Sequence, residues 1–312
     1  MTELMIDATD VSKAFGDVKA LDGVSLQVPR GTVMGLLGHN GAGKTTLVNL
    51  LTTVLPPDAG RASVAGFDVV TQGRQVRSRI GLTGQFASVD ELLTGTQNLV
   101  LIARLLGASK RQAVERATEL LELFDLADAK DRKVSTYSGG MKRRLDLAAS
   151  LVGHPDVVFL DEPTTGLDPT ARLGMWEVVE KLVGDGTTVL LTTQYLDEAD
   201  RLADSITVLS KGKVVAAGTA AELKASIGQR TVALTLTDAA DVPAALASLR
   251  TAGFDPIHEP PHRSLTIPVE AANSLAGVVR ALDDAGAEVA ELALHEPTLD
   301  DVYLTLTHQA AA

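Results

Sequence analysis

The hydrophobic positions of the chain fall into short apolar segments separated by amphipathic ones. Residues 24–28 and 33–37 predict two strands, and the second of these follows a turn at residues 29–31. The apolar run at residues 157–160 predicts a strand that is buried on both faces, as in a parallel sheet covered by helices. Because such strands alternate with helical segments, the pattern indicates an α/β fold built on a mainly parallel sheet.

Helical patterns dominate the middle of the chain. From about residue 89 to residue 153 the sequence predicts mostly helix, with a capping box formed by Ser109 and Gln112 ahead of an apolar stripe. After the strand at residues 157–160 the alternation continues. The pattern there predicts, in order, a helix at 175–183, a strand at 187–193, a helix at 196–203 and a hairpin with strands at 206–209 and 213–217.

Composition divides the 312 residues into two parts. Residues 229–312 contain four arginines, no lysine and twelve acidic residues, so a net charge of −8 out of the total of −12 lies in this segment. Its predicted order of strand, helix, strand, helix and strand resembles a small ferredoxin-like α+β module. We therefore predict two domains, residues 1–228 and residues 229–312, with a helical subdomain at residues 88–153 inside the first.

Several classes of protein are disfavoured by the same composition. The chain has no cysteine, which excludes disulfides, thiolate metal sites and a cysteine nucleophile. The acidic balance argues against broad electrostatic binding to nucleic acid. No apolar run approaches the roughly 18 residues of a membrane span, and the N-terminus lacks the features of a signal peptide. We expect a soluble cytoplasmic protein.

Residues 38–45 match the pattern G-x-x-x-x-G-K-[ST] in full, between an apolar strand and an apolar helix. Glycines at these positions let backbone N–H groups line an anion site, and the following helix offers its positive N-terminus. Lys44 is placed to reach the β- and γ-phosphates, and the hydroxyl of Thr45 is placed to bind Mg²⁺. The alternative is a chance glycine-rich turn. The residues predicted to bind nucleotide are Gly38, His39, Asn40, Gly41, Ala42, Gly43, Lys44, Thr45 and Thr46.

Two acidic residues directly follow the buried strand at residues 157–160. Because ligands bind at the carboxyl ends of parallel strands, Asp161 is the expected Mg²⁺ partner of Thr45. Glu162 is placed to polarise an attacking water as a general base. The alternative interpretation, two exposed acids in a turn before Pro163, loses weight because a phosphate-binding loop precedes them.

Tyr137-Ser138-Gly139-Gly140-Met141 resembles the signature L-S-G-G-Q of ATP-binding-cassette (ABC) transporter subunits. The order of motifs over residues 4–228 is similar to that family as well: Phe15, the phosphate loop, Gln85, the signature, Asp161-Glu162, Gly166-Leu167-Asp168 and Gln194. Residues 83–85, 137–141, 192–196 and 296–304 resemble the daunorubicin-resistance branch of drug exporters. The resemblance implies a P-loop ATPase fold with a parallel-sheet core, an N-terminal antiparallel β part and a helical signature subdomain.

The resemblance also implies roles for residues outside the phosphate loop. Phe15 would stack on adenine, and Gln85 would contact Mg²⁺ or the attacking water and sense the γ-phosphate. Ser138 and Gly140, with Gly139 between them, would bind the γ-phosphate of ATP held by the other subunit, and a helix N-terminus at this point suits an anion. Asp168 would lie at the subunit interface. The alternative for Phe15 is an ordinary phenylalanine in the core, and the alternative for Gln85 is an exposed amide in a loop. The alternative for residues 138–140 is a flexible Ser-Gly-Gly linker.

Three of these motif residues depart from the family pattern; two of the departures are also interpreted as local packing changes, and the third affects the expected chemistry. Met141 replaces the usual glutamine of the signature, and Tyr137 replaces its leucine. Gln194 stands where the family normally has a histidine, and an amide can donate a hydrogen bond but cannot carry a charge. The expected catalytic residues are Glu162, Gln194 and Lys44, and the expected Mg²⁺ ligands are Thr45, Gln85 and Asp161.

The motifs and the resemblance together predict the ATP-hydrolysing subunit of an exporter, with ATP and Mg²⁺ as cofactors, and the resemblance implies a lipophilic drug or antibiotic as the exported substrate. A separate integral-membrane permease, a homodimer closed head to tail by ATP, and a peripheral place on the cytoplasmic face of a bacterial membrane are implied by the resemblance. Residues 86–93 would pass the motion to the permease. The alternatives are export of a lipid or other natural product, a soluble ABC ATPase acting on ribosomes or DNA, and a C-terminal module that binds a ligand or regulates the cassette.

Overall fold

The structure is a computed structural model that describes residues 3–83, 89–227, 230–258, 262–269 and 273–309. Its backbone contacts divide the chain into two compact units: the second spans Ala221–Thr305, and the first comprises the residues before Ala221 together with those from Leu306 on. Composition placed the boundary later, after residue 228, because the charge balance changes only there.

The strands and helices of the described residues are numbered here in chain order. The strands are β1 (Leu4–Phe15), β2 (Val18–Pro29), β3 (Val33–Leu37), β4 (Ala59–Val64), β5 (Phe67–Asp68), β6 (Ile80–Thr83), β7 (Val157–Asp161), β8 (Thr188–Thr193), β9 (Ser205–Ser210), β10 (Lys213–Gly218), β11 (Arg230–Leu236), β12 (Ile257–His258), β13 (Ser264–Val269) and β14 (Val289–His295). The α-helices are α1 (Lys44–Leu51), α2 (Gly73–Arg77), α3 (Gly95–Leu105), α4 (Lys110–Leu123), α5 (Gly139–Ser150), α6 (Pro169–Gly184), α7 (Leu196–Leu202), α8 (Ala220–Ile227), α9 (Val242–Thr251), α10 (Ser274–Asp284) and α11 (Leu299–Gln309).

A six-stranded sheet forms the centre of the first unit, in the order β10-β9-β3-β8-β7-β6. The strands from β9 to β6 run parallel, and only β10 pairs antiparallel with its neighbour, closing the predicted hairpin. Every residue of β3, β7 and β8 is buried, which explains the nearly continuous apolar sequences of β3 and β7 and the Val-Leu-Leu centre of β8. The predicted parallel core is confirmed.

A second sheet of the first unit is antiparallel, in the order β2-β1-β4-β5. The predicted helical stretch contains α3, α4 and α5, and both α3 and α4 begin with a complete capping box. Helix α6 begins at Pro169, earlier than the predicted start near residue 175, because Asp168 caps its N-terminus and proline suits the first helical position.

After α8, the second unit has the element order β11-α9-β12-β13-α10-β14, and its sheet has the order β12-β13-β11-β14 with antiparallel neighbours throughout. This is the ferredoxin-like arrangement that the sequence indicated. One face packs Val232, Leu234 and Leu265 against helices α9 and α10. Strand β12 is missing from the sequence prediction because only two residues form it. None of the described helices is both long enough and apolar enough to cross a bilayer.

Candidate active site

The phosphate loop connects the end of β3 to the start of α1. Gly43 has φ 110°, and a Cβ atom at this position would lie 2.5 Å from the carbonyl oxygen of Ala20, so only glycine fits. The β9–β10 hairpin supports the loop from one side, since the N–H of Gly212 donates to the carbonyl of Ala42 at 3.0 Å. The curved backbone of the loop is therefore set by strand ends and a hairpin that lie outside the motif.

Lys44 is the first residue of α1, and its side chain is only 5% exposed. Its Nζ donates to the carbonyl oxygens of Gly38 at 2.5 Å and His39 at 3.4 Å, so the ammonium lies inside the curve of the loop. Burial lowers the pKa of Lys44, while the carboxylates of Glu162 and Asp161 act in the opposite direction. The charges of the two acids therefore act directly on the ammonium group of Lys44.

Asp161 ends strand β7 and is 7% exposed. The hydroxyl of Thr192, on the neighbouring strand β8, donates to Oδ1 of Asp161. Glu162 follows with φ 48°, a left-handed conformation that a non-glycine residue adopts only when its surroundings hold it. Its N–H donates to the carbonyl of Thr192 at 3.0 Å, and the hydroxyl of Thr165 donates to its Oε2 at 3.2 Å.

Arg143, on α5, holds the turn that contains these acids. Its guanidinium donates to three backbone carbonyl oxygens, those of Asp161, Glu162 and Pro163, each at 2.9 Å. On the other side it lies 3.7 Å from the carboxylate of Asp146, whose side chain is 2% exposed. The helix that starts at the signature segment is thereby attached to the backbone of the acidic turn.

An open cavity of about 610 Å³ lies over the phosphate loop. Phe15, at the end of β1, is 51% exposed and forms part of its wall, as expected of an aromatic side chain available for stacking. Glu162 lines the same cavity. The predicted nucleotide-binding residues in this wall are Phe15, His39, Asn40, Gly41, Gly43, Lys44, Thr45 and Thr46, while Gly38 and Ala42 form the buried backbone of the loop.

The signature residues do not line this cavity. Ser138 is the N-cap of α5, and its hydroxyl accepts from the N–H of Met141 at 3.2 Å. Asp168 caps α6 in the same way by accepting from Ala171 at 2.9 Å. The two helix starts are close together, since a Cβ on Gly140 would lie 3.4 Å from Cβ of Ala171. Ser138, Gly139 and Asp168 are exposed, so these residues form a second, outward-facing group.

The remaining predicted residues fall in three places. Gln194 is exposed and directly follows β8, whose residue Thr192 contacts Asp161. Gln85 lies outside the described residues. Tyr137, at the departure from the family pattern, is buried, and its hydroxyl donates to the carbonyl of Ala129 at 2.7 Å, so it anchors the segment before Ser138.

The donor set of the site suits Mg²⁺. Thr45 is exposed in the cavity and offers a hydroxyl, and the buried Asp161 offers a carboxylate at the end of β7, which β8 separates from β3 in the sheet. A few hard oxygen donors of this kind are what Mg²⁺ takes from proteins when phosphates supply its other ligands. We expect Thr45 and Asp161 to hold the ion, with Gln85 as the further candidate.

Sequence reasoning missed four residues of the site: Arg143, Thr192, Lys19 and Lys211. Lys19 and Lys211 line the cavity. Thr192 carries a weak sequence signal, because it lies in a strand that is buried along its whole length and a buried hydroxyl needs a polar partner, but β8 contains two further threonines that carry the same signal. Arg143 belongs to the run Lys142-Arg143-Arg144, which is typical of a solvated helix face and therefore gave no signal.

Comparisons with known proteins agree with this geometry. A family model described as ABC transporter matches residues 21–165, and one described as the C-terminal domain of DrrA1-3-like ATP-binding proteins matches residues 218–307. The chain is 54% identical to the daunorubicin resistance ATP-binding protein DrrA3 of Streptomyces coeruleorubidus, over 98% of this chain and 97% of that protein. It is 49% identical to the daunorubicin/doxorubicin resistance ATP-binding protein DrrA of Streptomyces peucetius, over 98% and 93%.

Solved structures resemble the first unit. The structure of an ATP-binding subunit of an ABC transporter matches with a TM-score of 0.65 at 28% identity, over 71% of this chain and 92% of that chain. The dimeric post-hydrolysis state of the ATP-binding cassette MJ0796, bound to ADP and Pi, matches with a TM-score of 0.63 at 25% identity, over 69% and 98%.

Proposed function

The chain belongs to the ABC transporter family, in its daunorubicin-resistance ATP-binding branch, and we propose that it is the subunit whose ATP hydrolysis powers drug export through a separate membrane permease. The chain is an ATPase. The identities of its catalytic residues, its partners and its substrate are the proposal. The observation that carries it is that one chain presents a nucleotide cavity and, outside that cavity, an exposed signature group.

Nucleotide binding is assigned to the phosphate loop and its surroundings. The loop N–H groups and the N-terminus of α1 surround the phosphates, and Lys44 neutralises their charge from inside the loop. Phe15 offers its exposed ring to adenine from the cavity wall. When bound by Thr45 and Asp161, Mg²⁺ supplies charge neutralisation at the phosphate oxygens.

Glu162 is the proposed general base. Its carboxylate lines the cavity, and its backbone is held on both sides, by Thr192 through its N–H and by Arg143 through its carbonyl. A base whose main chain is fixed in this way can orient a water toward the γ-phosphate at little entropic cost. Gln194, which is exposed at the end of β8, is proposed to donate a hydrogen bond to the γ-phosphate from its amide.

A second copy of the chain is proposed to complete the site. Ser138, Gly139 and Gly140 lie at the start of α5, where unpaired N–H groups face outward and suit an anion. Since they do not line the cavity of their own chain, they are assigned to ATP bound by the partner. Asp168 caps the neighbouring helix and is placed at the same interface. The dimeric form of the similar cassette MJ0796 supports this arrangement.

A lipophilic drug of the daunorubicin type is the proposed cargo, because the similarity to proteins named for resistance to such drugs extends over nearly the whole chain. The test is drug accumulation in a sensitive bacterial host that expresses the chain together with the proposed permease. We expect reduced daunorubicin accumulation with the wild-type chain and full accumulation with E162Q at equal expression. Equal accumulation in both strains, with ATP hydrolysis intact, would remove the drug as cargo and favour a lipid or another natural product.

A further inference from the structure

Tyr137 is the buried residue of the signature segment and one of its departures from the family pattern. Its side chain is 6% exposed, and its hydroxyl donates to the carbonyl oxygen of Ala129 at 2.7 Å. The leucine of the usual signature has no polar group and makes no such bond. The hydroxyl therefore attaches the chain directly before Ser138 to the interior of the helical subdomain.

Gly95, the first residue of α3, leaves room for this hydroxyl. A Cβ atom on Gly95 would lie 2.6 Å from the hydroxyl oxygen of Tyr137, whereas the next atom, Cδ2 of Leu121, would be 3.3 Å away at the end of a side chain that can shift. Gly95 is helical and its φ lies outside the left-handed region, so its backbone suits alanine, which is the better helix former. The tyrosine hydroxyl therefore explains why this position is a glycine.

Backbone hydrogen bonds join the chain ahead of α3 to the chain that leads into the signature. The N–H of Val134 donates to the carbonyl of Leu93, and the N–H of Ser135 donates to the carbonyl of Glu91, each at 2.9 Å. Val134 itself is fully buried. The hydroxyl of Tyr137 carries this attachment two residues further, up to the start of α5.

A surface ion pair joins the same two parts of the chain. Nζ of Lys142, in the first turn of α5, lies 2.5 Å from Oε1 of Glu91, and both side chains are partly exposed. Solvent screening makes such pairs weak, whereas a buried hydrogen bond is costly to lose because its acceptor stays unpaired. The hydroxyl of Tyr137 is therefore the stronger constraint of the two.

We propose that Tyr137 is a positioning residue for the shared ATP site: its hydroxyl, seated against Gly95, fixes Ser138 and the start of α5 where they face ATP bound by a second copy of the chain. The inference rests on the proposed role of the signature group. It assigns to Tyr137 an effect on the ATP-driven joining of two chains and none on nucleotide binding by the phosphate loop, because neither Tyr137 nor Gly95 is among the described residues of the cavity wall.

Dimer formation by the full chain in saturating Mg-ATP tests the inference in the Glu162→Gln background, where hydrolysis does not reopen the dimer. Tyr137→Phe removes only the hydroxyl. We expect the dissociation constant of the dimer, from light scattering over a range of protein concentrations, to rise about fivefold. Mg-ADP affinity, measured by isothermal titration calorimetry, reports on the phosphate loop alone, and we expect it to stay within about twofold of the parent because the two places are separate.

Gly95→Ala is the steric counterpart of this substitution. Its Cβ displaces the hydroxyl of Tyr137, and we expect the dissociation constant of the dimer to rise about twentyfold. In the double variant Gly95→Ala/Tyr137→Phe the clash is relieved, so we expect the dissociation constant to return to that of Tyr137→Phe. Gly184→Ala is the matched control, because Gly184 is also a helical glycine and a Cβ there meets nothing within 4 Å.

Four results would overturn the inference: an unchanged dimer in Tyr137→Phe, losses that multiply in the double variant, a Mg-ADP affinity that falls as far as the dimer affinity, or an equal loss in Gly184→Ala. If Gly95→Ala does not fold, Tyr137→Phe decides the question by itself. The parent separates this inference from the proposed function. A monomeric Glu162→Gln in saturating Mg-ATP rejects the shared site and with it this role, whereas a dimeric Glu162→Gln with an unchanged Tyr137→Phe rejects only the role of Tyr137.

Discussion

The guanidinium of Arg143 donates a 2.9 Å hydrogen bond to the carbonyl oxygen of Glu162. Arg143 lies on the helix that begins at the signature segment, and Glu162 is the proposed base in the turn after β7. A displacement of that helix therefore acts directly on the backbone of the base. The left-handed conformation of Glu162 depends on such external support, since it is unfavourable for an isolated residue.

Arg143→Ala is expected to impair both stability and hydrolysis. The substitution removes three charge-assisted hydrogen bonds and leaves the buried carboxylate of Asp146 without this arginine, a change that costs about 3–5 kcal/mol in comparable buried pairs. Urea denaturation measures the loss in free energy of unfolding. Arg144→Ala is the control, because its neighbour Asp125 is almost fully exposed and the pair contributes less than about 1 kcal/mol. Equal losses in the two variants would contradict the role given to Arg143.

Gly43→Ala is expected to abolish nucleotide binding. Its Cβ would lie 2.5 Å from the carbonyl oxygen of Ala20, a backbone atom that cannot move without displacing the loop. Gly41→Ala is the matched comparison, because Gly41 also has a positive φ of 84° but a Cβ there meets nothing within 4 Å. Its penalty is limited to backbone strain of about 1–2 kcal/mol. Isothermal titration calorimetry with a non-hydrolysable ATP analogue distinguishes the two variants. Equal affinities of the two variants for the analogue would refute the steric explanation.

Gln194→Ala is expected to lower kcat by about tenfold, because it removes one hydrogen-bond donor to the γ-phosphate. Gln194→His is expected to restore turnover and to add a pH dependence near 6.5, where an ordinary histidine gains its charge. Gln27→Ala, at an exposed amide that bonds to Asp7, is the control. A kcat in Q194A equal to wild type would remove Gln194 from the catalytic group.

The raised pKa of Glu198 makes stability depend on pH. Because burial raises the pKa in the folded chain above the ordinary value of 4.5, the folded state binds a proton that the unfolded state releases. The resulting contribution to the free energy of unfolding is fully present below about pH 4.5. It is lost as the pH rises through the folded-state pKa, and the free energy of unfolding then falls by up to about 1.4 kcal/mol per pH unit. We expect the unfolding free energy of wild type, relative to Glu198→Gln, to decrease between pH 5 and pH 8. Parallel curves for the two proteins would contradict a neutral buried acid.

The parts of the fold and site that were predictable are those whose chemistry requires a distinctive local sequence. A phosphate loop needs glycines and lysine at fixed spacing, and doubly buried strands such as β7 need unbroken apolar runs. The ferredoxin-like order of the second unit followed from alternating patterns of ordinary length. Strand β12 was not predictable, because two residues are too few to show the alternating pattern of a strand.

Residues that act through tertiary contacts were not predictable. Arg143 lies in a basic run on a helix, and only the fold brings it to the carbonyl oxygens of residues 161–163. Glu198 follows Asp197 in a segment that looks solvated, and its burial depends on α7 packing against Trp176. Asp168 was assigned to the subunit interface, and the structure adds that it caps α6 and so sets where that helix begins.

ATP is proposed to join two copies of this chain, with the phosphate loop of one facing Ser138 and Gly140 of the other. Glu162→Gln should bind ATP without hydrolysing it, so the joined state should accumulate. The direct measurement is the mass of E162Q by light scattering in excess Mg-ATP, with Ser138→Arg in the same background as the control. We expect a dimer for E162Q, with a monomer when ATP is withheld or Ser138 is replaced. A monomer for E162Q in saturating Mg-ATP would contradict the shared site.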